Sequence, residues 1–433
     1  MKYKSISRRK FISRSVATTA SFFIVPRFVL GGKNFVPPSD RIVLGFIGTG
    51  KQATGLQKRF HAQKDAMVLA GCDVDKLKLE RFKKASEDYY SANTTTENYN
   101  GCLTFTDYRE LLALKEIDAV VISTPDHWHA PQTVDAAKKG KDIYCEKPLA
   151  HTVNEGIAMV KAVKKYKRVL QTGSMQRSNL QFHKACELVR NGYIGEIKQV
   201  LVSVGGPPIP CVLPTEPTPD YLNWNLWLGP APERGYNNDL SPHISIDIFP
   251  NWRNYREYGG GGVTDWGAHM FDIAHWGLGM DRSGPIEIIP PDGKDLKYLM
   301  LRYKSGVEMF HQDFGRGAAV RFIGTKGSID ISRSFFETTP ANLKETELSS
   351  SDVRLYNSRD HHGDWLQAIR NRTQPICDVE TGHRTSSVCN LINIAYQLDR
   401  PLKWSPKKEN FGKDKDASTL LGKTMRAPWE LKV

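Results

Sequence analysis

Between residues 42 and 166, short apolar runs alternate with longer amphipathic segments, and that alternation leaves few folds open. Ile42-Val43-Leu44-Gly45-Phe46-Ile47 is short, almost wholly apolar and closed by Gly48-Thr49-Gly50, so it reads as a strand buried on both faces. A helix should begin near Gln52. Ala66 to Cys72 reads as the next strand, ending at Asp73, and residues 76–90, rich in Lys and Glu, as a helix. A polar loop over 91–101, a helix over Tyr108 to Lys115, a strand over Ala119 to Ser123, a helix over His129 to Lys139, a strand over Lys141 to Cys145 and a helix over Asn154 to Tyr166 complete the series. Strand and helix in strict alternation imply a doubly wound parallel sheet, an α/β Rossmann architecture.

Past Gly173 the pattern changes. A helix (Gln181 to Arg190) and a strand (Ile197 to Val204) precede a Pro-, Trp- and Tyr-rich stretch, Gly205 to Tyr258, without clear periodicity. A loop of that length is usually functional. Gly259 to Gly262 punctuates it, and a helix through Asp265 to Trp276 follows. Leu296 to Tyr303, Val307 to Phe314, Ala319 to Gly324 and Ser328 to Ser332 read as antiparallel strands, and Asp364 to Arg370 and Thr385 to Leu398 as helices. The expected organisation is residues 1–39 as a leader and linker, 40–172 as the Rossmann domain, and 173–400 as an α+β domain with a large open, mostly antiparallel sheet. Residues 401–433 form a tail that returns onto both.

The formal charge of +13 is concentrated at the start. Residues 1–30 hold Lys2, Lys4, Arg8, Arg9, Lys10, Arg14 and Arg27 and no acid, leaving an excess of six on residues 31–433. That remainder does not call for a nucleic-acid partner. Ser7-Arg8-Arg9-Lys10-Phe11-Ile12-Ser13 matches the twin-arginine export pattern, and the apolar stretch behind it, Val16 to Val25, is too short at about ten residues to span a bilayer. Export of an already folded chain points to the periplasm and to a cofactor loaded beforehand and held tightly. The seven cysteines are odd in number and include no CxxC, so neither a disulfide framework nor a zinc site is readable.

Gly48-Thr49-Gly50-Lys51-Gln52-Ala53 is a G-x-G-x-x-A turn. Gly48 permits the tight turn, Gly50 lets the backbone approach a pyrophosphate, Ala53 permits close helix packing, and the helix N-terminus faces the phosphates. Asp73, at the end of the second strand, should accept from ribose hydroxyls and repel a 2′-phosphate, which favours NAD over NADP. Thr124-Pro125-Asp126 and His129 lie at the C-terminal edge of a parallel strand, where ligands bind in such sheets. Asp126 has an alternative reading as a helix cap.

Glu146-Lys147-Pro148 is also at a strand end, and the Lys147 cation could steady developing alkoxide character during hydride transfer. Asp265 and His269, four residues apart, would share a helix face, with His269 accepting a hydroxyl proton and Asp265 orienting the substrate or raising the basicity of the histidine. Alone, such a pair is more often a structural hydrogen bond. Asp272 and His275 one turn on raise the question of a metal; hydride chemistry with a lysine needs none, and none is expected. Tyr221, Trp224, Trp227, Trp252, Arg253, Tyr255 and Tyr258 could form either a carbohydrate cleft or a satellite core. Trp224 and Trp227 look structural and Trp252 to Tyr258 closer to the cleft. The expected substrate contacts are Gln176, Arg177, Trp252, Arg253 and Tyr255, and the expected cofactor contacts include Thr49 and Gln52.

Taken together, the Gly48/Gly50 turn, Asp73, Thr124-Pro125-Asp126 with His129, Glu146-Lys147-Pro148 and Gly262, Asp265 and His269 resemble the Gfo/Idh/MocA oxidoreductases over nearly everything after residue 40. The resemblance implies Lys147, Asp265 and His269 as the catalytic set, a Rossmann domain joined to an open-sheet domain, and a homodimer or homotetramer formed through that sheet. Ala53 replaces the usual third glycine. The long aromatic insertion argues against a small cyclitol substrate and towards a sugar or glycoside. Three functions follow as expectations: an NAD-dependent oxidoreductase on a ring carbinol, a glycosidase that oxidises its substrate transiently, and a non-catalytic sugar sensor.

Overall fold

The computed structural model describes residues 40–93, 99 and 101–433. The twin-arginine pattern therefore lies outside the described residues. The first sheet comprises β1 (Ile42–Ile47), β2 (Ala66–Cys72), β3 (Leu103–Phe105), β4 (Ala119–Ile122), β5 (Asp142–Cys145) and β6 (Leu170–Thr172), in the order β3-β2-β1-β4-β5-β6 with every pair parallel. Alternation of side chains explains why these strands read as continuous apolar runs. Val120, Ile122 and Ile143 feed the core on one face, while Leu44, Phe46, Val121 and Tyr144 feed the other.

The strand order reverses between β1 and β4, and a crevice opens there at the C-terminal strand ends. Local chemistry sets the intervening helices. Asp75 caps Lys76–Ala92 through the N–H groups of Leu77 and Lys78. Thr152 and Glu155 form a reciprocal capping box at the start of Val153–Lys165.

The second sheet adds β7 (Ile197–Ser203), β8 (Glu287–Ile289), β9 (Leu299–Arg302), β10 (Glu308–His311), β11 (Ala319–Gly324), β12 (Gly327–Ile331), β13 (Phe336–Thr339) and β14 (Leu402–Lys403). Its order is β13-β12-β11-β7-β10-β9-β8-β14, antiparallel except where β7 meets β10. Helices Leu180–Arg190, Gly267–Leu278 and Val379–Leu398 supply much of the apolar core shared with this sheet. The C-terminal tail contributes the edge strand β14, and Trp429 stacks edge-on against Trp128 of the first domain. Helix His361–Asn371 inserts Trp365, Leu366 and Ile369 into the core of the first sheet, although it comes from the second half of the chain.

The expected helix through Asp265 to Trp276 is two helices, Gly261–Asp265 and Gly267–Leu278, interrupted at Trp266. Close approach dictates the glycines ahead of it. A Cβ on Gly262 would lie 2.4 Å from the Gly205 backbone, so only glycine lets the two segments touch.

Candidate active site

The turn after β1 brings the chain back against β4. Gly48 has φ of 87°, and a Cβ there would lie 2.8 Å from the backbone of Ser123 and Thr124. Ser123 donates from its hydroxyl to the Gly48 carbonyl at 2.8 Å, which locks the two strand ends together. Gly50 has no atom within 4 Å of the position a Cβ would take and lines the crevice, leaving its backbone open to a ligand. The crevice is bordered by Gln52, Asp73, Thr124, Pro125, Trp252 and Arg253 among others.

Asp73 accepts from the Thr49 N–H at 2.6 Å and the Thr49 hydroxyl at 3.0 Å. Burial raises its carboxyl above the ordinary range, and the nearby Lys78 works in the opposite direction. Lys78 and Arg81 also border the crevice. Lys78 pairs with Asp75 at 2.9 Å, and Arg81 donates to the Thr49 carbonyl at 3.0 Å.

A segment of the aromatic insertion, residues 240–250, crosses the crevice as a strap. Its base is closed by Asp239, which accepts from the Asn251 side chain at 2.6 Å and the Tyr255 hydroxyl at 2.8 Å. Its tip is tied to the phosphate-loop helix by the Lys51–Asp247 ion pair at 2.9 Å, and Lys78 donates to Ser241 at 3.2 Å.

Beyond Arg253 lies the polar cluster. The Lys147 ammonium, just past β5, donates to the Asp265 carboxylate at 2.5 Å and to the Asp265 carbonyl at 2.9 Å. Arg253 Nε lies 3.6 Å from the same carboxylate. Burial alone would raise the Asp265 carboxyl, but Lys147 and Arg253 outweigh it and hold it below the ordinary range. His269 is buried and held well below the ordinary imidazole range by desolvation, with Lys147 and Arg333 adding to the effect, so it is neutral near pH 7. Its Nε2 accepts from Arg333 at 3.1 Å, and its Nδ1 has no partner.

Glu146 is buried behind Lys147. Burial raises its carboxyl against the pull of Lys147, and its Oε1 has no hydrogen-bond partner. Asp126 is pushed up to about 8 by burial, partly opposed by Arg253 and Lys147.

Two family models cover most of the chain. One, described as an oxidoreductase family NAD-binding Rossmann fold, matches residues 42–174, and the other, described as an oxidoreductase family C-terminal alpha/beta domain, matches residues 210–431. The chain belongs to the Gfo/Idh/MocA oxidoreductase family.

Among curated relatives, glycosyl hydrolase family 109 protein 2 of Shewanella sp. (strain ANA-3) is 30% identical over 166 residues, 37% of this chain and 35% of that protein. An alpha-N-acetylgalactosaminidase of Shewanella oneidensis is 26% identical over 220 residues, 45% of this chain and 44% of that protein. The chain thus spans less than half the length of these curated relatives. Among solved structures, aldose-aldose oxidoreductase from Caulobacter crescentus, complexed with glycerol, aligns at TM-score 0.58 and 20% identity over 84% of this chain and 99% of that one. The WlbA dehydrogenase from Bordetella pertussis, in complex with NADH and UDP-GlcNAcA, aligns at TM-score 0.59 and 16% identity over 84% and 99%. These likenesses show the fold.

Within this Gfo/Idh/MocA chain the site residues expected from sequence divide into two groups. Gly48, Gly50, Gln52, Asp73, Thr124, Pro125, Trp252 and Arg253 border the crevice, and Lys147, Asp265 and His269 gather beyond its Arg253 end. Gln176 is close by, accepting from Arg333 Nε at 3.1 Å. Thr49 turns inward to Asp73, and Ala53 packs in the core, as its small size suggested.

Five expectations are corrected. Arg177 contacts no cleft: it is fully buried, gripping Asp272 at 2.8 Å and Asp281 at 2.8 Å. Tyr255 belongs to the satellite core of the insertion, along with Trp224, Trp227 and Tyr258, and its hydroxyl is spent on Asp239. His129 is held down to about 4 by burial and so carries a single N–H. Its Nδ1 lies 2.8 Å from the Pro148 carbonyl and its Nε2 2.9 Å from the Thr124 carbonyl, only one of which it can donate to. Both nitrogens face backbone, while the ring lies outside the crevice lining. Asp126 is the first helical residue and makes no cap; Pro125 occupies that position. Asp265 spends its carboxylate on Lys147 and Arg253, leaving Arg333 as the partner of His269.

Of the metal candidates, Asp272 is held by Arg177 and His275 bonds the Tyr303 hydroxyl at 2.7 Å. Sequence reasoning missed the strap and Arg333, since a Ser-Arg-Ser turn carries no periodic or motif signal.

Proposed function

We propose that this protein oxidises a ring carbinol of a sugar or glycoside, using an NAD that it holds tightly and restores by running the reaction backwards on a second substrate. One observation carries the reading: Lys147 from the first domain and Asp265 and His269 from the second gather beyond the Arg253 end of a crevice that suits a dinucleotide. The residues fit the cofactor. Gly50 leaves open space for a pyrophosphate, Asp73 stands at the ribose end, and Glu146 carries an unpartnered buried oxygen near Lys147. The nicotinamide, when bound, supplies the hydride acceptor.

Within that frame Lys147 orients the carbinol oxygen and stabilises negative charge on it, Asp265 fixes the ammonium, and neutral His269 takes the hydroxyl proton. The glycine-lined backbone and the strap 240–250 exclude water and slow escape of the dinucleotide. The test is to denature the purified protein, identify the released nucleotide, and screen the intact protein with glycosides for keto-sugar formation. Full turnover by Lys147→Ala on a substrate so found would end the proposal.

A second reading is favoured by the glycosyl hydrolase names of the curated relatives. Oxidation at C3 would acidify the C2 proton, elimination would expel the aglycone, water would add across the double bond, and reduction at C3 would return the cofactor to its starting state. Aglycone release without accumulated NADH supports this second reading, and keto-sugar accumulation supports the first.

The twin-arginine pattern supports export to the periplasm in the folded state. Fractionation of cells carrying Arg8→Lys with Arg9→Lys tests this: the protein should stay in the cytoplasm. Assembly as a homodimer or homotetramer through the second sheet is a further part of the proposal, read by mass photometry.

A further inference from the structure

Arg333 sits on the turn between β12 and β13. Ser332 holds that turn by accepting from the N–H groups of Ser334 and Phe335 at 3.0 and 3.2 Å. The guanidinium is thereby aimed at the catalytic cluster. Its Nη2 donates to His269 Nε2 at 3.1 Å, its Nε donates to Gln176 at 3.1 Å, and its plane lies 4.8 Å from the Trp266 ring centroid.

Two features bear on what it can bind. Arg177, Arg316 and Arg321 each grip carboxylates, whereas among the described residues no carboxylate pairs with Arg333. The residue is also exposed, and with Nε on Gln176 and Nη2 on His269, its Nη1 has no hydrogen-bond partner among the described residues. The carboxylates that act on it, Asp265 and Glu146, do so from beyond ion-pair distance. The Asp265 carboxylate is shared by Lys147 and Arg253, while burial keeps Asp126 protonated up to about 8.

The contact with His269 has a consequence for catalysis. A nitrogen that accepts from Arg333 has its lone pair occupied, so the imidazole cannot receive a substrate proton there until the guanidinium moves. A planar carboxylate is the ligand that a guanidinium fork prefers to a neutral ring nitrogen.

We propose that Arg333 is a specificity residue that reads a carboxylate on the sugar substrate, and that in pairing with it the guanidinium leaves His269 free to act. This rests on the oxidoreductase reading of the same site and narrows its substrate class to acidic sugars, uronates or their glycosides. No acid among the described residues lies within ion-pair distance of the fork, and Gln176 and Trp266 hold its other side while it changes partner.

The test uses the NAD-loaded protein and four probes: D-glucuronate, D-galacturonate, D-glucose and D-galactose. Calorimetric titration should show at least one uronate binding about tenfold more tightly than its neutral counterpart. Arg333→Gln should erase that preference without moving the unfolding midpoint, and Arg333→Lys should restore part of it. Equal or tighter binding of the neutral sugar in both pairs, absence of binding by all four, or a preference that survives Arg333→Gln overturns the assignment. Absorbance of the bound nicotinamide is followed in the same titration. A uronate preference with no reduction by any sugar keeps the Arg333 assignment and sinks the oxidoreductase reading. Reduction by neutral sugars without a uronate preference does the reverse.

Discussion

Two clusters of arginine, lysine and carboxylate lie in this molecule, and they are built on opposite terms. Around Arg177 every charge is matched. The guanidinium holds Asp272 and Asp281, Thr385 donates to Asp272 at 2.9 Å, and Trp276 covers the cation at 5.1 Å. Around Lys147 the matching is incomplete. Asp265 serves two cations; among the described residues Arg333 has no ion-pair partner and His269 Nδ1 and Glu146 Oε1 no hydrogen-bond partner; and Asp126 is buried with its carboxyl raised. A saturated network fixes a shape, because any rearrangement strands a buried charge. An unsaturated one retains unmet hydrogen-bonding and charge capacity that a substrate and cofactor can complete.

The contrast can be broken in five ways. Lys147→Ala should lower turnover by about 10²–10⁴-fold while nucleotide content and unfolding midpoint stay close to wild type. A collapse of stability instead would make the second cluster structural too. Arg177→Met should cost about 3–5 kcal/mol by leaving Asp272 and Asp281 unpaired, whereas Arg253→Met should change stability by less than about 1 kcal/mol, both read by denaturant unfolding.

Asp126→Asn sharpens the electrostatic side. The unfolded carboxyl ionises near 3.8 and the folded one near about 8, so between these values the folded protein keeps a proton that the unfolded chain has released. Wild-type stability therefore declines as pH rises through that window, and the asparagine variant is spared the decline. Its advantage should grow by roughly 1 kcal/mol per pH unit and level off above pH 8; a constant difference would show that Asp126 is ionised throughout.

Asp247→Ala removes the ion pair between strap and phosphate-loop helix, leaving the bond from Lys51 to the carbonyl of residue 247, and should speed nucleotide release by up to severalfold in a stopped-flow chase, with the fold intact. The smallest expected effect is a null. His269 is depressed well below 6.5, so kcat/KM should stay level as pH falls through 6.5, and a loss of activity centred there would mean an imidazole with ordinary solvation.

Legibility from sequence followed the range of the interactions involved. β2 and β11 begin and end where their apolar patterns do, and through Lys165 the strands and helices follow the order read from periodicity except for β3, which three residues are too few to show as a pattern. The interruption at Trp266 was not legible, because Asp265 and His269 are spaced four apart whether the helix is continuous or broken. His129 looked like a cofactor contact from its place near a strand end, yet its two nitrogens face carbonyls supplied by a turn nineteen residues away and by its own loop. Tyr255 and Tyr258 looked like cleft aromatics, but the insertion had to bury a core of its own.

By itself the sequence determined the parallel sheet, the glycine turn at its switch point and the residue types of the catalytic set, because periodicity, turn stereochemistry and strand-end position are local properties of the chain. Only the tertiary structure decided that Arg177 is sealed while Arg253 borders the crevice, that residues 240–250 cross it, and that Arg333 reaches His269 from a turn 64 residues further along the chain. Each of those outcomes depends on which distant charge or surface a side chain meets, and that pairing is set by how sheets and loops pack against one another.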